Sequence, residues 1–317
     1  MKRNFFALML VCLIMWSCKK ESSKDTTDTG GKSSHKITFM VGFSKQTTDF
    51  KTNGLTVNST NRPLSTQALA DQVDVIYFAI YNNKGNKVKV TKQVSTDAGF
   101  GTFTEGLTTG NYTIVVAAGK TGLALANDIS VDSSSLNTDI LTYSPLNQGV
   151  LFNKDAFYKK VPLTIPGDAS QTINLDRITS EMKVVIKDAI PSNAKILSIT
   201  VAKIANKFYI GSGTAARTIG GLELRSTFTP TDIGALNYTV SSQPFLALPK
   251  SDVTLYCSSG QINDGISRAV VADVMYMPNK RTVLTGSLFG GAGNPVGNGF
   301  QLVADTSWNG THSNNPF

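Results

Sequence analysis

The chain has 317 residues, of which 41% are hydrophobic and only 16% charged, and its formal net charge is +8 at pH 7. This length is enough for two domains of ordinary size, and abundant Thr, Ser, Asn and Gly beside short Val and Ile runs favour strands and turns over helices. The lysines are scattered, as in Lys87-Val88-Lys89-Val90, which is typical of the solvated faces and edges of strands. A nucleic-acid-binding surface would need clustered basic residues beside aromatic or arginine platforms, so no nucleic-acid partner is expected.

The N-terminal segment has the layout of a secretory signal that ends in a cysteine. Lys2 and Arg3 precede an apolar run from Phe5 to Trp16, which is too short to span a bilayer as a helix, and Cys18 follows a small residue. A thiol at the cleavage point can be linked to diacylglycerol, which predicts a lipoprotein signal over residues 1–17 and lipidation of Cys18. Acyl chains on that sulfur would anchor the protein stably in a membrane. The alternative is an ordinary secretory peptide with a chance cysteine, since Met15 stands where such signals usually carry Leu.

Residues 18–35 are predicted to form a flexible tether, because they are polar and contain no large apolar side chain. Lys19 directly after the cysteine, rather than Asp, favours the outer membrane over retention at the inner one. Cys12 leaves with the signal, so Cys257 has no partner for an intrachain disulfide. Its spacing from Val253 and Leu255 predicts a small buried hydrophobic residue rather than a reactive thiol.

The first half of the mature chain shows period-two patterns interrupted by turn residues. A short helical turn is expected at Leu64–Asp71, and the segment Val73–Tyr81 is apolar on both faces, which is typical of a central strand. Asn82 to Asn86 has the composition of a turn. The other predicted strands are Lys36–Phe43, Lys87–Val94, Phe100–Glu105, Tyr112–Ala118 and Tyr158–Ile165.

The Pro166-Gly167-Asp168 cluster is the best boundary marker, so domains are predicted over 36–168 and 169–317. The first strand of the second domain places Ile178, Ser180, Met182, Val184 and Ile186 on one face. Thr229 as N-cap and Pro230 at the first helical position predict a short helix through Leu236. The further strands are Lys195–Ala202, Leu222–Phe228, Tyr238–Phe245, Val253–Ser258, Ala269–Met277, Arg281–Leu288 and Phe300–Asp305, whose even spacing predicts β-sandwiches.

Catalytic, metal-binding and cofactor-binding patterns are not found. The only histidines, His35 and His312, lie at the fringes of the predicted domains, which argues against a Ser-His-Asp triad or a histidine zinc site. Asp176, Glu181 and Asp188 have spacings that place them on differing faces, so they do not form an acid/base pair.

Two glycine-containing segments match only part of a nucleotide-binding motif. Gly119-Lys120-Thr121 lacks a glycine five residues earlier, where Ile114 stands, and the run Gly211–Ala216 is not followed by a sustained amphipathic helix. Both are interpreted as turns. Trp308 is interpreted as a core anchor for the last strand, with a sugar-stacking platform as the alternative.

The chain resembles the Bacteroidetes fimbrillin and fimbrial-anchor lipoproteins, the FimB-like branch of type V pilus proteins. The segments that carry the resemblance are Val73–Tyr81, Leu107–Gly119, Leu175–Val184, Asn279–Gly286 and Phe300–Val303 with Trp308, in addition to the lipoprotein signal. The resemblance implies two tandem transthyretin-like β-sandwich domains and a role in the assembly or anchoring of fimbriae at the outer membrane.

In polymerising subunits of this family, an arginine-specific protease removes the lipidated N-terminal strand, and a strand from another subunit fills the groove. The only arginine between Cys18 and the second predicted domain is Arg62, and Pro63 follows it. Because proline after the scissile residue blocks such proteases, the N-terminal strand and its lipid are expected to be retained. This favours an anchor or accessory subunit over a cleaved stalk subunit.

The expected function is therefore that of a non-enzymatic outer-membrane lipoprotein, exposed at the cell surface, that binds other fimbrial subunits by strand or groove docking. The alternative is a surface glycan-binding lipoprotein that accompanies an outer-membrane sugar importer. A row of exposed aromatic rings would favour glycan binding, whereas a strand-shaped groove or a protruding terminal strand would favour assembly.

Overall fold

Strands dominate the computed structural model of the protein, which describes residues 33–44, 66–127, 134–143, 154–217, 221–260, 264–290 and 300–304. Short runs of Val, Ile, Phe and Tyr separated by Gly, Asn and Asp turns form these strands, as the composition predicts. The first half contains β1 Ser34–Phe43, α1 Thr66–Gln72, β2 Val75–Asn82, β3 Lys87–Val94, β4 Thr102–Thr108, β5 Gly110–Gly119, β6 Leu123–Asn127, β7 Asp139–Tyr143, β8 Ala156–Ile165 and β9 Ala169–Arg177.

The second half follows the same pattern. Its strands are β10 Glu181–Ile186, β11 Ile196–Val201, β12 Ile204–Tyr209, β13 Thr214–Arg217, β14 Leu222–Thr227, β15 Tyr238–Ser241, β16 Leu246–Ala247, β17 Lys250–Ser258, β18 Gly265–Met275, β19 Arg281–Gly286 and β20 Gln301–Ala304.

The first sandwich is a seven-stranded sheet folded onto itself. Its strand order is β3-β2-β5-β8-β9-β1-β4, and β8 pairs with β9 through only two residue pairs, whereas β5 and β8 share ten. The sheet therefore bends at the β8–β9 corner, so that β9, β1 and β4 cover one face of β3, β2, β5 and β8. The core between these layers contains Ile37, Phe39, Val41, Ile76, Phe78, Ile114, Val116, Phe157, Ile173 and Leu175.

The second sandwich packs two four-stranded sheets against each other. One has the order β15-β10-β19-β20 and the other β14-β11-β17-β18. Their common core includes Met182, Val184, Ile186, Leu197, Ile199, Val253, Leu255 and Leu284.

A third sheet combines strands from both halves. β6 and β7 come from the first half, β12, β13 and β16 come from the second, and Phe208 of β12 lies opposite Leu141 of β7. This mixed sheet packs on the outer face of the first sandwich, where Val75, Ala79, Val115 and Ala117 meet Leu123, Leu141, Ala205 and Phe208. Both halves of the chain therefore contribute to one core.

Most of the predicted strands and the short helix near residue 70 are confirmed, and the fold is mostly β with sandwich layers. Six strands that the sequence analysis did not assign are β6, β7, β9, β12, β13 and β16. β9 lies just after the predicted boundary at residue 168, yet it pairs with β1 and β8 of the first sandwich. The first strand begins at Ser34, two residues earlier than expected, and it includes His35.

The helix predicted from Pro230 to Leu236 is wrong. This segment forms successive turns, and Gly234 has φ of 78°, which interrupts a right-handed helix. The Thr229 hydroxyl does not cap backbone N–H groups, because it donates to the carboxylate of Asp232 at 2.6 Å. The Asp232 carboxylate also accepts the backbone N–H of Thr229, so the acidic residue organises the turn.

Candidate functional site

The first strand lies in a slot between two neighbours in the first sandwich. β1 pairs antiparallel with β4 over seven residue pairs and parallel with β9 over another seven. Ile37 of β1 lies opposite Ala169 of β9, which follows 132 residues later, so this parallel pairing is a non-local contact. β1 is the middle strand of the layer β9-β1-β4. This slot is the candidate functional site.

Alternating side chains of β1 fix the strand in its slot. Ile37, Phe39 and Val41 are 0–3% exposed, whereas Thr38 and Met40 between them are half-buried. The ring of Phe39 lies 4.9 Å from that of Phe78 on the opposite layer. Burying three large apolar side chains contributes about 1.5–3 kcal/mol each, so the strand is an integral part of the core.

Polar contacts hold the beginning of β1. The backbone N–H of Lys36 donates to the Asp168 carboxylate at 2.9 Å, and one ring nitrogen of His35 lies 3.5 Å from the same carboxylate. The other ring nitrogen lies 3.1 Å from the Thr109 hydroxyl. The loop at the predicted boundary therefore contacts the start of the strand directly.

The end of β1 is held in a similar way. The Ser44 hydroxyl donates to the backbone carbonyl of Leu175 at 2.9 Å and also contacts the carboxylate of Asp176. Lys159 donates to that carboxylate at 2.8 Å. Both ends of β1 are thus held by β9 and by the residue that precedes it, through Asp168 at the start and Leu175 and Asp176 at the end.

A buried charged cluster lies where β9 leads into β10. Arg177 is 2% exposed, its Nε lies 3.1 Å from the Asp155 carboxylate, and its guanidinium lies over the ring of Phe157 at 5.2 Å. Thr179 donates to the same carboxylate at 2.9 Å, and Asn279 donates its backbone N–H to the Thr179 carbonyl at 2.8 Å. The cluster joins the first sandwich to the start of β19 in the second.

A second buried ion pair lies beside this cluster. Arg281 donates from Nε and Nη2 to one carboxylate oxygen of Glu181, at 2.9 and 2.7 Å. The two residues stand opposite each other in the parallel pair of β10 and β19. Such buried pairs contribute little net stability, but removing one partner leaves a charge without compensation.

Sequence reasoning missed these buried arginines. Arg177 shares the inward phase of β9 with Ile173 and Leu175, both buried, and this spacing is the signal that could have identified it. A charged residue at a core position was not expected, because Arg is almost never fully buried unless it is paired.

The structure separates the other residues that the sequence analysis considered. Asp176 contacts Ser44 and Lys159, Glu181 pairs with Arg281, and Asp188 accepts three successive backbone N–H groups from Leu288, Phe289 and Gly290. These three carboxylates have different partners and do not form a pair.

The two glycine-containing segments have structural roles. Lys120 donates to the backbone carbonyl of Asp71 at 3.0 Å, and the N–H of Thr121 donates to Asp74 at 2.8 Å. Gly211 to Gly213 form the turn between β12 and β13. Cys18, Arg62, Trp308 and His312 lie outside the described residues.

Cys257 is fully buried, as predicted, and burial raises the pKa of its thiol to about 11. Among the described residues, no group of three or more His, Cys, Asp or Glu side chains is placed to bind a metal ion. None of the helices in the described part of the chain is long and apolar enough to cross a membrane.

The chain is similar to known proteins in sequence and in fold. The family model of the fimbrillin-A associated anchor proteins Mfa1 and Mfa2 matches residues 45–244. No curated protein matches the sequence.

Three solved structures share the fold. The fimbrial anchor protein Mfa2 from Porphyromonas gingivalis superposes with a TM-score of 0.51 at 12% identity, over 86% of this chain and 97% of that one. A protein from Bacteroides thetaiotaomicron described as polysaccharide-binding gives 0.53 at 12% identity, over 86% and 96%. A candidate adhesin from Bacteroides ovatus gives 0.51 at 11% identity, over 87% and 94%.

At such identities these structures show the likeness of the fold alone, whereas the family model covers well over half of the chain. The resemblance inferred from the sequence is confirmed, and the matched family consists of anchor proteins rather than enzymes. The chain belongs to the family of fimbrillin-A associated anchor proteins Mfa1 and Mfa2.

Proposed function

We propose that the protein is an outer-membrane lipoprotein that serves as an anchor or accessory subunit of a fimbria-like assembly. Acyl chains on Cys18 hold it at the membrane, the chain from Cys18 to β1 spaces the sandwiches from the lipid, and the protein is exposed at the cell surface. It binds partner subunits by docking of a strand or a groove and carries out no catalysis.

The observation that carries the proposal is the position of β1. The strand nearest to Cys18 is enclosed by β4 and β9 and contributes Ile37, Phe39 and Val41 to the core. A lipid attached ahead of this strand is thereby joined to the core of the protein without an intervening domain. Retention of β1 suits an anchor, because a stalk subunit would have to lose this strand in order to accept another.

Glycan binding receives no comparable support. The large hydrophobic side chains that are exposed in the described part of the chain are aliphatic or methionine: Val88, Val90, Val94, Leu236, Val270, Met275 and Met277. An aromatic platform for stacking sugars is not among them.

The test compares the natural protein with Cys18→Ser in membrane fractions of the producing cell. We expect the natural protein to partition with the outer membrane, to carry diacylglycerol on Cys18 by mass spectrometry, and to co-purify with fimbrial subunits. We expect Cys18→Ser to leave the membrane fraction while its circular dichroism and unfolding midpoint stay unchanged, because the substitution alters none of the residues in the described strands.

Two results would contradict the proposal. One is an unmodified Cys18 on the processed natural protein together with unchanged membrane partitioning of the variant. The other is a mature N-terminus at Pro63, since that would mean that β1 had been removed.

A further inference from the structure

The side of the first sandwich opposite the β8–β9 corner has two strand edges without a backbone partner. β3 and β4 are consecutive along the chain, yet β3 pairs only with β2 and β4 only with β1 among the described residues. Free edges of this kind are templates for pairing with a strand of another molecule.

β3 is the more exposed of these two edges. It has eight residues, and its outward face carries Val88, Val90, Lys92 and Val94, of which the three valines are 51%, 38% and 38% exposed. Exposed valines on an open edge strand favour edge-to-edge association, and the single lysine between them opposes it.

The opposite face of β3 is occupied differently. Lys89 donates to the carboxylate of Glu105 on β4 at 2.6 Å, and Thr91 contacts the other oxygen of that carboxylate at 3.4 Å. Glu105 is only 7% exposed whereas the Lys89 side chain is 52% exposed, so the ion pair crosses the open side with its carboxylate turned inward and its ammonium group at the surface. Inward-pointing charges are one of the ways in which natural sheets protect their edges.

Gln93 also links β3 to β4, through hydrogen bonds from its side-chain amide to the backbone of β4 and of the residue before it. Its side-chain amide donates to the backbone carbonyl of Thr102 at 2.9 Å and accepts the backbone N–H of Gly101 at 2.8 Å. A peptide group of a neighbouring strand would make the same two kinds of bond. The N–H of Gly101 and the carbonyl of Thr102 therefore already have a hydrogen-bond partner in the Gln93 side chain.

We propose that Lys89, Thr91 and Gln93 form an edge latch that prevents β3 from pairing with β3 of a second copy of the protein. An antiparallel pair with Val88 opposite Val94 would place Val90 opposite Lys92 and Lys89 opposite Gln93, so that no two lysines face each other. In that pair, Lys89 and Gln93 would face side chains of the second copy instead of β4. The latch and the β3–β3 dimer thus compete for the same side chains. This inference does not depend on the proposed function.

The test is a latch variant, Lys89→Thr/Gln93→Thr/Glu105→Gln, which removes the crossing contacts without leaving Glu105 charged and buried. We expect its mass by size-exclusion chromatography with light scattering to double as the protein concentration rises, while the natural protein stays monomeric. Val90→Lys in the latch variant should restore the monomer, because it places a lysine opposite Lys92 of the second copy.

The control variant, Lys250→Thr/Glu223→Gln, removes one basic and one acidic group outside β3 and the latch, where Lys250 is exposed at the start of β17 and Glu223 is an exposed partner of Arg225. It should remain monomeric. A folded latch variant that stays monomeric at every concentration, or a control that dimerises equally, would overturn the proposal.

Gln93→Thr alone keeps the inference testable if the triple variant does not fold. Loss of the bond from Gly101 should speed hydrogen exchange of that amide about fivefold, the equivalent of about 1 kcal/mol. Unchanged exchange at Gly101 would show that Gln93 does not protect this edge, and the latch would be refuted.

Discussion

At the scale of single residues, charge in the interior is the least expected feature of this protein. Arg177 occupies an inward position of β9, where an apolar side chain is usual. Its guanidinium contacts the Asp155 carboxylate and the ring of Phe157. Such a group has a large desolvation cost that only its partners offset. The cluster therefore requires all of its members to be present.

Replacing Arg177 with alanine should lower the free energy of unfolding by about 3–5 kcal/mol, because the substitution leaves a cavity and an uncompensated carboxylate. Urea denaturation followed by circular dichroism measures this loss. The matched control is Arg225→Ala, whose partner Glu223 lies 3.8 Å away on the surface. That control should lose no more than about 1 kcal/mol. Equal losses in the two variants would show that the buried cluster does not stabilise the fold.

At the scale of elements, period-two alternation identifies most strands but fails where other constraints act. β7 has only five residues and all of them are buried, so its sequence shows no alternation between a buried and an exposed face. β12 has a register shift between Ala205 and Lys207, which interrupts its period-two pattern. Gly234 and Asp232 turn the segment predicted as a helix into successive turns. The slot around β1 was likewise not predictable, because a hydrophobic pattern does not reveal which distant strand will be its parallel neighbour.

One polar contact between elements predicts a pH dependence. Burial alone would raise the pKa of Asp74, but hydrogen bonds from the Thr121 backbone N–H and hydroxyl, together with the charge of Lys120, outweigh it and lower the pKa below 3.8. A carboxyl whose pKa is lowered by folding contributes stability above its unfolded pKa and loses it as the pH falls through the folded value.

Asp74→Asn should therefore be less stable than the natural protein at pH 7, and the difference should shrink as the pH falls below 3.8. Urea unfolding of both proteins at several pH values, from 7 to well below 3.8, measures the change. A difference that stays constant with pH, or grows on acidification, would contradict the direction inferred for Asp74.

At the scale of the whole molecule, the two halves of the chain are joined through shared structure. β12 and β13 extend a sheet begun by β6 and β7, and β9 connects the first sandwich to the Arg177 cluster. Composition and turn residues were enough to predict a mostly β protein with sandwich layers. The mixed sheet was not predicted, because its strands are short and lie far apart in the sequence.

A fragment of residues 33–168 should not fold on its own, because it lacks β9 beside β1 and lacks β12 beside β7. Residues 33–317 should instead unfold in a single transition by circular dichroism and by intrinsic fluorescence. A fragment with a cooperative unfolding transition would contradict this prediction and would favour the division at residue 168 as a true domain boundary.

The direction of β1 relative to β9 has a mechanical consequence. A pull on the N-terminal end of β1 runs along the strand axis, and β9 carries the force onward from its opposite end, toward Arg177. In this shear geometry, the backbone hydrogen bonds along both sides of β1 bear the load at the same time and do not break one after another. Tension applied at the N-terminus is thus shared over the whole length of the strand.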